Sequence, residues 1–289
     1  MTTDVKEAAM PRLLLPLLGI LLLALAACSG GASTRAVASA PATSLDAIKA
    51  RGELRVAVKA DAPPFSSKLG ETQVGFDADI AQALAAELGI AKVRFVPVAS
   101  GERLGVLLRG EVDLAIATMT ITRKREQVVD FSIPYFEDGQ TFLVPAASSI
   151  KHYSELDGKK VGAQVGSTTL ANLAQVAPSA IAVPCTNLEE GLAELAAGRI
   201  DALSSDSLLL LGLQLDHPEL ALRLLPDRCS SEPYGIAMAE NQSDLRDLVN
   251  DALMAMWESG QWHTMASTWF GPGAKHATRL DFAMPVVPR

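Results

Sequence analysis

The chain has 289 residues, with 33 acidic against 25 basic side chains and a formal net charge of −8. That length suits one large or two medium domains, and an acidic exterior argues against nucleic acid as a partner. Hydrophobic residues make up 49% of the chain, a share raised by its N-terminal segment.

From Leu13 to Ala27 only Pro16 and Gly19 interrupt an apolar run. The run is short for a membrane span, which needs about 20 residues. It ends in Leu25-Ala26-Ala27-Cys28, small residues of the kind that precede a secretory cleavage point. Asp4 and Glu7 are unusual in a signal segment, and Met10 offers a second candidate start. Removing residues 1–27 would delete Asp4, Glu7, Lys6 and Arg12, so the net charge would stay at −8. Residues 28–44 follow as a small, polar stretch without aromatics, expected to be a flexible tether.

Folded sequence is expected from Leu45. "ELRVAVKA" reads as a buried strand and "GFDADIAQALAAELGI" as a helix, with Phe76, Ile80, Leu84 and Leu88 on one face. Asp77 and Asp79 suit its positive end, and Gly89 stops it. "KVRFVPV" reads as a strand, "GERLGVLLRG" as a short helix, and "VDLAIATMT" as a further strand. In "ATMTITRKRE" Thr118, Thr120 and Thr122 alternate with apolar residues, which predicts a strand end with hydroxyls on one face. This βαβα order implies a largely parallel sheet covered by helices.

The order then recurs: strand "GKKVGAQV", helix "STTLANLAQVA", strand "AIAVPC", helix "LEEGLAELAAG", strand "RIDALSSD". Two segments echo each other, "LGVLLRGEVDLAIAT" and "LAELAAGRIDALSSD". Asp113 stands three residues after Gly110 as Asp201 does after Gly198, and both aspartates are expected to be turn or cap residues. Thr118 and Asp206 each stand eight residues after the matching glycine. Two similar α/β lobes would place both residues past the carboxyl ends of equivalent strands, where open α/β sheets bind ligands. Arg125 is suited to grip a carboxylate with paired hydrogen bonds, Asp206 to hold an ammonium, and Thr118 and Thr120 to add further contacts. A carboxylate beside an ammonium describes an α-amino acid.

At this point the chain resembles solute-binding family 3, the polar amino-acid-binding proteins of bacterial ABC importers. "GFDADIAQALAAELG" and "DLAIATMTITRKREQVVDFSIPYF" carry the likeness, with support from "GKKVGAQVGSTT" and "GRIDALSSD", over residues 45–270. The resemblance implies a two-lobed periplasmic-binding fold of type II, with lobe 1 from residues 45–136 and 235–289 and lobe 2 from 137–234, joined by two hinge strands. Arg125 would clamp the ligand α-carboxylate with Thr120 as its hydroxyl neighbour. Thr118 would meet the ammonium through its backbone, Thr168 would offer a backbone N–H from lobe 2, and Asp206 would hold the α-ammonium. Arg123 and Lys124 would face water.

Many members carry a stacking aromatic where this chain has Ala62. Lys59 and Arg103 are basic instead, and "VKADAPPF", "GERLGVLL" and "LPDRCSSEPYGIAM" resemble members that bind acidic amino acids. Glutamate or aspartate is therefore the expected ligand, with Lys59 and Arg103 on its side-chain carboxylate; otherwise both are surface residues. Gln164 either reaches that group or lines the cleft, and Tyr234 lies on the return hinge strand with or without a ligand contact.

A cysteine after Leu-Ala-Ala resembles a lipoprotein cleavage box, which implies lipidation of Cys28 and an extracytoplasmic, membrane-anchored protein. Outside the cytoplasm Cys185 and Cys229 are free to oxidise, so a disulfide is expected, against two separate thiols. Trp257, Trp262 and Trp269 are expected in the core. The four histidines show no metal spacing, and neither cofactor nor metal is expected. The expected partners are a small-molecule amino acid and ABC permease subunits, and the expected state is a monomer that binds without catalysing. The competing readings are an extracytoplasmic enzyme on the same fold, dehydratase-like, and a ligand-sensing protein serving a separate signalling partner.

Overall fold

The computed structural model describes residues 44–285. The expected signal peptide, Cys28 and the tether up to residue 43 lie outside the described residues. Ser44 caps α1 (Leu45–Arg51) by accepting from the Ala47 N–H. β1 (Glu53–Lys59) follows, then a small antiparallel sheet of β2 (Asp61–Ala62), β3 (Ser66–Leu69) and β4 (Thr72–Val74). α2 (Phe76–Glu87) buries Phe76, Ile80 and Leu84 completely, the face its spacing predicts. It starts after Gly75, where a Cβ would lie 2.1 Å from the Phe65 carbonyl oxygen.

β5 (Lys92–Val98), α3 (Arg103–Leu108), β6 (Leu114–Ala115) and β7 (Asp130–Phe131) complete the first pass. β6 is shorter than the sequence suggests. Thr118 adopts φ 45°, which breaks the pleat, so the threonine run is not a strand end with one hydroxyl face. β8 (Phe136–Asp138) then leads into β9 (Gln140–Pro145), β10 (Lys160–Gln164), α4 (Thr169–Val176), β11 (Ile181–Cys185) and α5 (Leu188–Ala196). β12 (Ala202–Asp206), α6 (Ser207–Asp216) and β13 (Leu222–Leu224) finish that region. β14 (Glu232–Tyr234), β15 (Ala237–Met238), α7 (Ser243–Glu258) and α8 (Gln261–Phe270) return the chain.

Two five-stranded sheets result, in the orders β5-β1-β6-β15-β7 and β11-β10-β12-β9-β13. In each, three parallel strands are followed by an antiparallel one. β8 and β14 pair as a two-stranded ribbon through which the chain passes between the sheets. The echo in sequence has a structural counterpart. Asp113 accepts from the Arg55 N–H and Asp201 from the Lys160 N–H, both at 2.8 Å. Each aspartate thus fixes the start of its strand against the neighbouring one. Asp113 also pairs with Arg51 and Arg55.

Trp262 is buried and donates to the Tyr135 carbonyl at 2.9 Å, while Trp269 is half-buried and donates to Asp79 at 2.7 Å. Each indole thus packs its ring and finds a partner for its N–H. Among the described residues no helix is long and apolar enough to cross a membrane.

The expected Cys185–Cys229 disulfide is not formed, and both are free thiols. Cys185 ends β11 at one edge of the second sheet, whereas the Cys229 N–H donates to Gln140 on the far side of β9. Strands β10, β12 and β9 lie between them. At the usual strand spacing that is a separation of roughly 19 Å, against the ~7 Å Cα limit of a disulfide. Burial raises the Cys185 thiol and pushes Cys229 up to about 11.

Candidate functional site

The parallel strands aim their carboxyl ends at one place. Lys59 ends β1, Gln164 ends β10 and Asp206 ends β12. Thr118 and Thr120 follow β6, and Arg103 opens α3. With Arg125 and Thr168 these residues line a single cavity of about 10 Å³ between the two sheets. That is about the room one water molecule needs. Of the nine residues expected at the ligand, only Tyr234 is absent from the lining; it stands behind, donating its hydroxyl to Asp206.

Arg125 reaches across the gap. It donates to the Thr120 carbonyl at 2.7 Å and to the Gly166 carbonyl, in lobe 2, at 3.2 Å. Arg123 and Lys124 beside it are exposed. Asp206 is buried opposite. Desolvation and the nearby Asp138 and Glu232 carboxylates push it up to about 7, while the Tyr234 hydroxyl and Arg103 pull the other way. A buried carboxylate raised chiefly by desolvation is suited to receive an ammonium.

Thr118 is held in a left-handed conformation that a β-branched residue rarely takes. Its N–H donates to Asp77 at 3.1 Å, and its carbonyl accepts from Arg103 at 2.9 Å. Asp77 also accepts from the Tyr135 hydroxyl at 2.8 Å, and burial raises its carboxyl to about 7. Such strain costs about 1–3 kcal/mol and persists only where neighbours fix it, which these bonds do.

Arg103 lines the cavity as expected of a cleft residue, but most of its donors are already engaged. It is 3% exposed, and its guanidinium donates to the carbonyls of Ser100, Ala117 and Thr118 at 2.9 Å and of Gly166 at 3.1 Å. Most of its five N–H donors are therefore spent on backbone. Arg103 lines the cavity chiefly as a brace, with burial and the neighbouring Arg125 lowering it to about 10.

Lys59 is 1% exposed and meets Ser100 Oγ at 2.9 Å, Gln164 Oε1 at 3.2 Å and Asp61 at 3.3 Å. Burial lowers its ammonium. Ser100 Oγ donates to the same Gln164 oxygen at 3.1 Å. An oxygen acceptor from lobe 2 thus rests on two donors from lobe 1. Ser100 was not apparent in the sequence, because a serine ahead of a glycine reads as a turn.

Glu232 was missed as well. It is 1% exposed and takes four side-chain donors, Thr120, Thr168, Asn172 and Ser230. Its place in "SSEPYG" gave no periodic signal. Thr168 stands at the N-terminus of α4, where first-turn N–H groups lack helical partners. The lobes also touch through backbone: a Cβ on Gly166, at φ 77°, would lie 2.4 Å from the Gly101 Cα. Among the described residues no His, Cys, Asp or Glu group is placed to hold a metal.

The comparisons agree with this architecture. The chain is 36% identical over 252 residues to the ABC transporter glutamine-binding protein GlnH of Bacillus subtilis, covering 85% of this chain and 91% of that one. An ancestral arginine-binding protein bound to glutamine shares 39% identity, with a TM-score of 0.73 over 77% of this chain and 99% of that one. The ancestral amino acid-binding protein AncCDT-1, a precursor of cyclohexadienyl dehydratase, shares 35% identity with a TM-score of 0.71 over 78% of this chain and 98% of that one. The family model for bacterial extracellular solute-binding proteins, family 3, matches residues 54–272. With a two-lobed α/β fold and a polar cleft at the strand ends, the chain belongs to the bacterial extracellular solute-binding proteins of family 3.

Proposed function

We propose that the protein is the substrate-binding component of an amino-acid ABC importer, anchored outside the cytoplasm through lipid on Cys28 and handing its ligand to permease subunits. It binds an L-α-amino acid by hinge closure and does not transform it. The observation that carries this reading is the placement of Arg125 and Asp206, from opposite lobes, on one cavity. Arg125 takes the α-carboxylate and Asp206 the α-ammonium. The similar proteins described above are binding proteins, which supports capture over catalysis.

The ligand of this reading is glutamate or aspartate. Lys59, Arg103 and Arg125 line the cavity against one lining carboxylate, Asp206. That balance suits a ligand with two carboxylates and one ammonium, and it opposes a basic side chain. A side-chain oxygen would replace Gln164 Oε1 on Lys59 and Ser100. A second reading, glutamine, is favoured by the glutamine-binding relative and the glutamine-bound ancestral protein. Native mass spectrometry of protein purified without refolding, followed by calorimetry with each common amino acid, separates the two. Tighter binding of glutamine or arginine than of both acidic amino acids would overturn the acidic assignment. Cys28→Ser should release the protein from membranes.

A further inference from the structure

We infer that Glu232 is a positioning residue that ties the two lobes together and turns the hydroxyl oxygens of Thr120 and Thr168 into acceptors facing the ligand. Glu232 opens the return hinge strand β14 and is 1% exposed. Thr120, from lobe 1, donates to its carboxylate at 2.5 Å. From lobe 2, Thr168 Oγ1 lies 3.0 and 3.1 Å from its two oxygens, and Asn172 Nδ2 donates at 2.7 Å. Ser230 Oγ adds a bond at 3.0 Å. One carboxylate on the hinge thus gathers donors from both sides of the cleft.

The chemistry of a hydroxyl makes the second half follow. A threonine hydroxyl has one proton to give and two lone pairs. Thr120 and Thr168 line the cavity, while Glu232 lies behind them. With their protons directed at Glu232, both oxygens offer only lone pairs to the cleft. They are then partners for a ligand N–H and cannot donate to a carboxylate. This changes the part that the resemblance gave Thr120. Its oxygen serves the ammonium beside Asp206, and the α-carboxylate is left to Arg125 and to backbone N–H groups. The inference rests on the amino-acid reading for its ligand half, whereas the tie between lobes stands without it.

Glu232→Gln keeps the shape but puts an amide N–H against groups that already donate, and Glu232→Ala removes the acceptor. Calorimetry with L-glutamate, L-aspartate and L-glutamine, and competition with glutarate, which lacks the amine, read the ligand half. Glu232→Gln should weaken the tightest amino acid by roughly ten- to a hundredfold and leave glutarate within about twofold, with melting close to wild type. Its loss should overlap in part with that of Thr168→Val, because both remove the Thr168 contact. X-ray scattering of the unliganded protein reads the tie, and Glu232→Ala should be more extended than wild type. Equal losses for the amino acid and glutarate, additive losses with Thr168→Val, or unchanged amino-acid affinity in Glu232→Gln would overturn the orienting role. Equal scattering of Glu232→Ala and wild type would overturn the tie. Failure of the wild type to bind any of the three amino acids would count against the amino-acid reading, and with it the ligand half, leaving the tie to be decided by scattering.

Discussion

Lys59 Nζ donates to Gln164 Oε1 at 3.2 Å, joining the end of β1 to the end of β10 across the cleft. If the ligand is acidic, as proposed, its side chain should be read by Lys59 rather than Arg103, whose donors are committed to backbone carbonyls. Lys59→Met should weaken glutamate by roughly ten- to a hundredfold and glutamine less, since a charged acceptor loses more than a neutral one. Arg103→Met should weaken all ligands together and lower the melting temperature, because it frees the strained Thr118. Titration of both variants with glutamate, aspartate, glutamine and asparagine checks this. Loss of discrimination in Arg103→Met alone would return the role to Arg103.

The opposed charges at Arg125 and Asp206 give a second expectation. Removing either leaves a ligand charge buried without its partner, a cost of about 2–5 kcal/mol. Calorimetry on Arg125→Ala and Asp206→Ala should therefore show affinity reduced by roughly thirtyfold or more. Near-wild-type binding by both variants would refute the clamp.

The pH dependence follows from Asp206, which burial holds at about 7. An ammonium favours the ionised carboxylate, so ligand binding should release protons near neutral pH. Affinity should fall as pH drops below about 7, by up to tenfold per unit. Asp206→Asn should bind weakly and flatten the profile. A wild-type affinity constant from pH 8 to pH 5.5 would contradict the assignment.

Without ligand the same carboxyl, like Asp77, is raised above its unfolded value. Their contribution to stability is full below about pH 4, where both states are protonated, and is lost as pH rises through about 7. Between those limits the unliganded protein should gain melting temperature on mild acidification, to an extent reduced in Asp206→Asn. Calorimetric scans across the window measure it.

The thiols give a further test. Cys185 and Cys229 sit too far apart to bridge, so thiol titration of denatured, unreduced protein should count both. Native protein should react slowly, because burial raises both thiols. A Cys185–Cys229 linked peptide in a non-reducing digest would overturn the separation.

Much of the fold was legible because hydrophobic spacing and glycine placement are local signals. Phe76, Ile80 and Leu84 mark the buried face of α2, and the Gly110/Asp113 and Gly198/Asp201 echo marks equivalent strand starts. The threonine run misled, because alternation cannot reveal that Thr118 leaves the pleat under tertiary restraint from Asp77 and Arg103. Arg103 was visible as a basic residue, but its backbone partners come from segments distant in sequence. Glu232 gave no signal at all: its donors Thr120, Thr168 and Asn172 converge only once the hinge ribbon has brought them together. The disulfide expectation failed for a related reason, since a pair of cysteines in sequence says nothing of the three strands between them.

Gly166 lies against Gly101 where the two lobes meet. With no side chain on either residue, the lobes meet backbone to backbone. A methyl group on Gly166 would overlap the Gly101 backbone, and at φ 77° it would be strained even when the lobes are apart. A methyl on Gly101 meets nothing within 4 Å. Gly166→Ala should therefore hold the lobes apart where Gly101→Ala would not, and should shorten ligand residence with every side chain of the cleft kept.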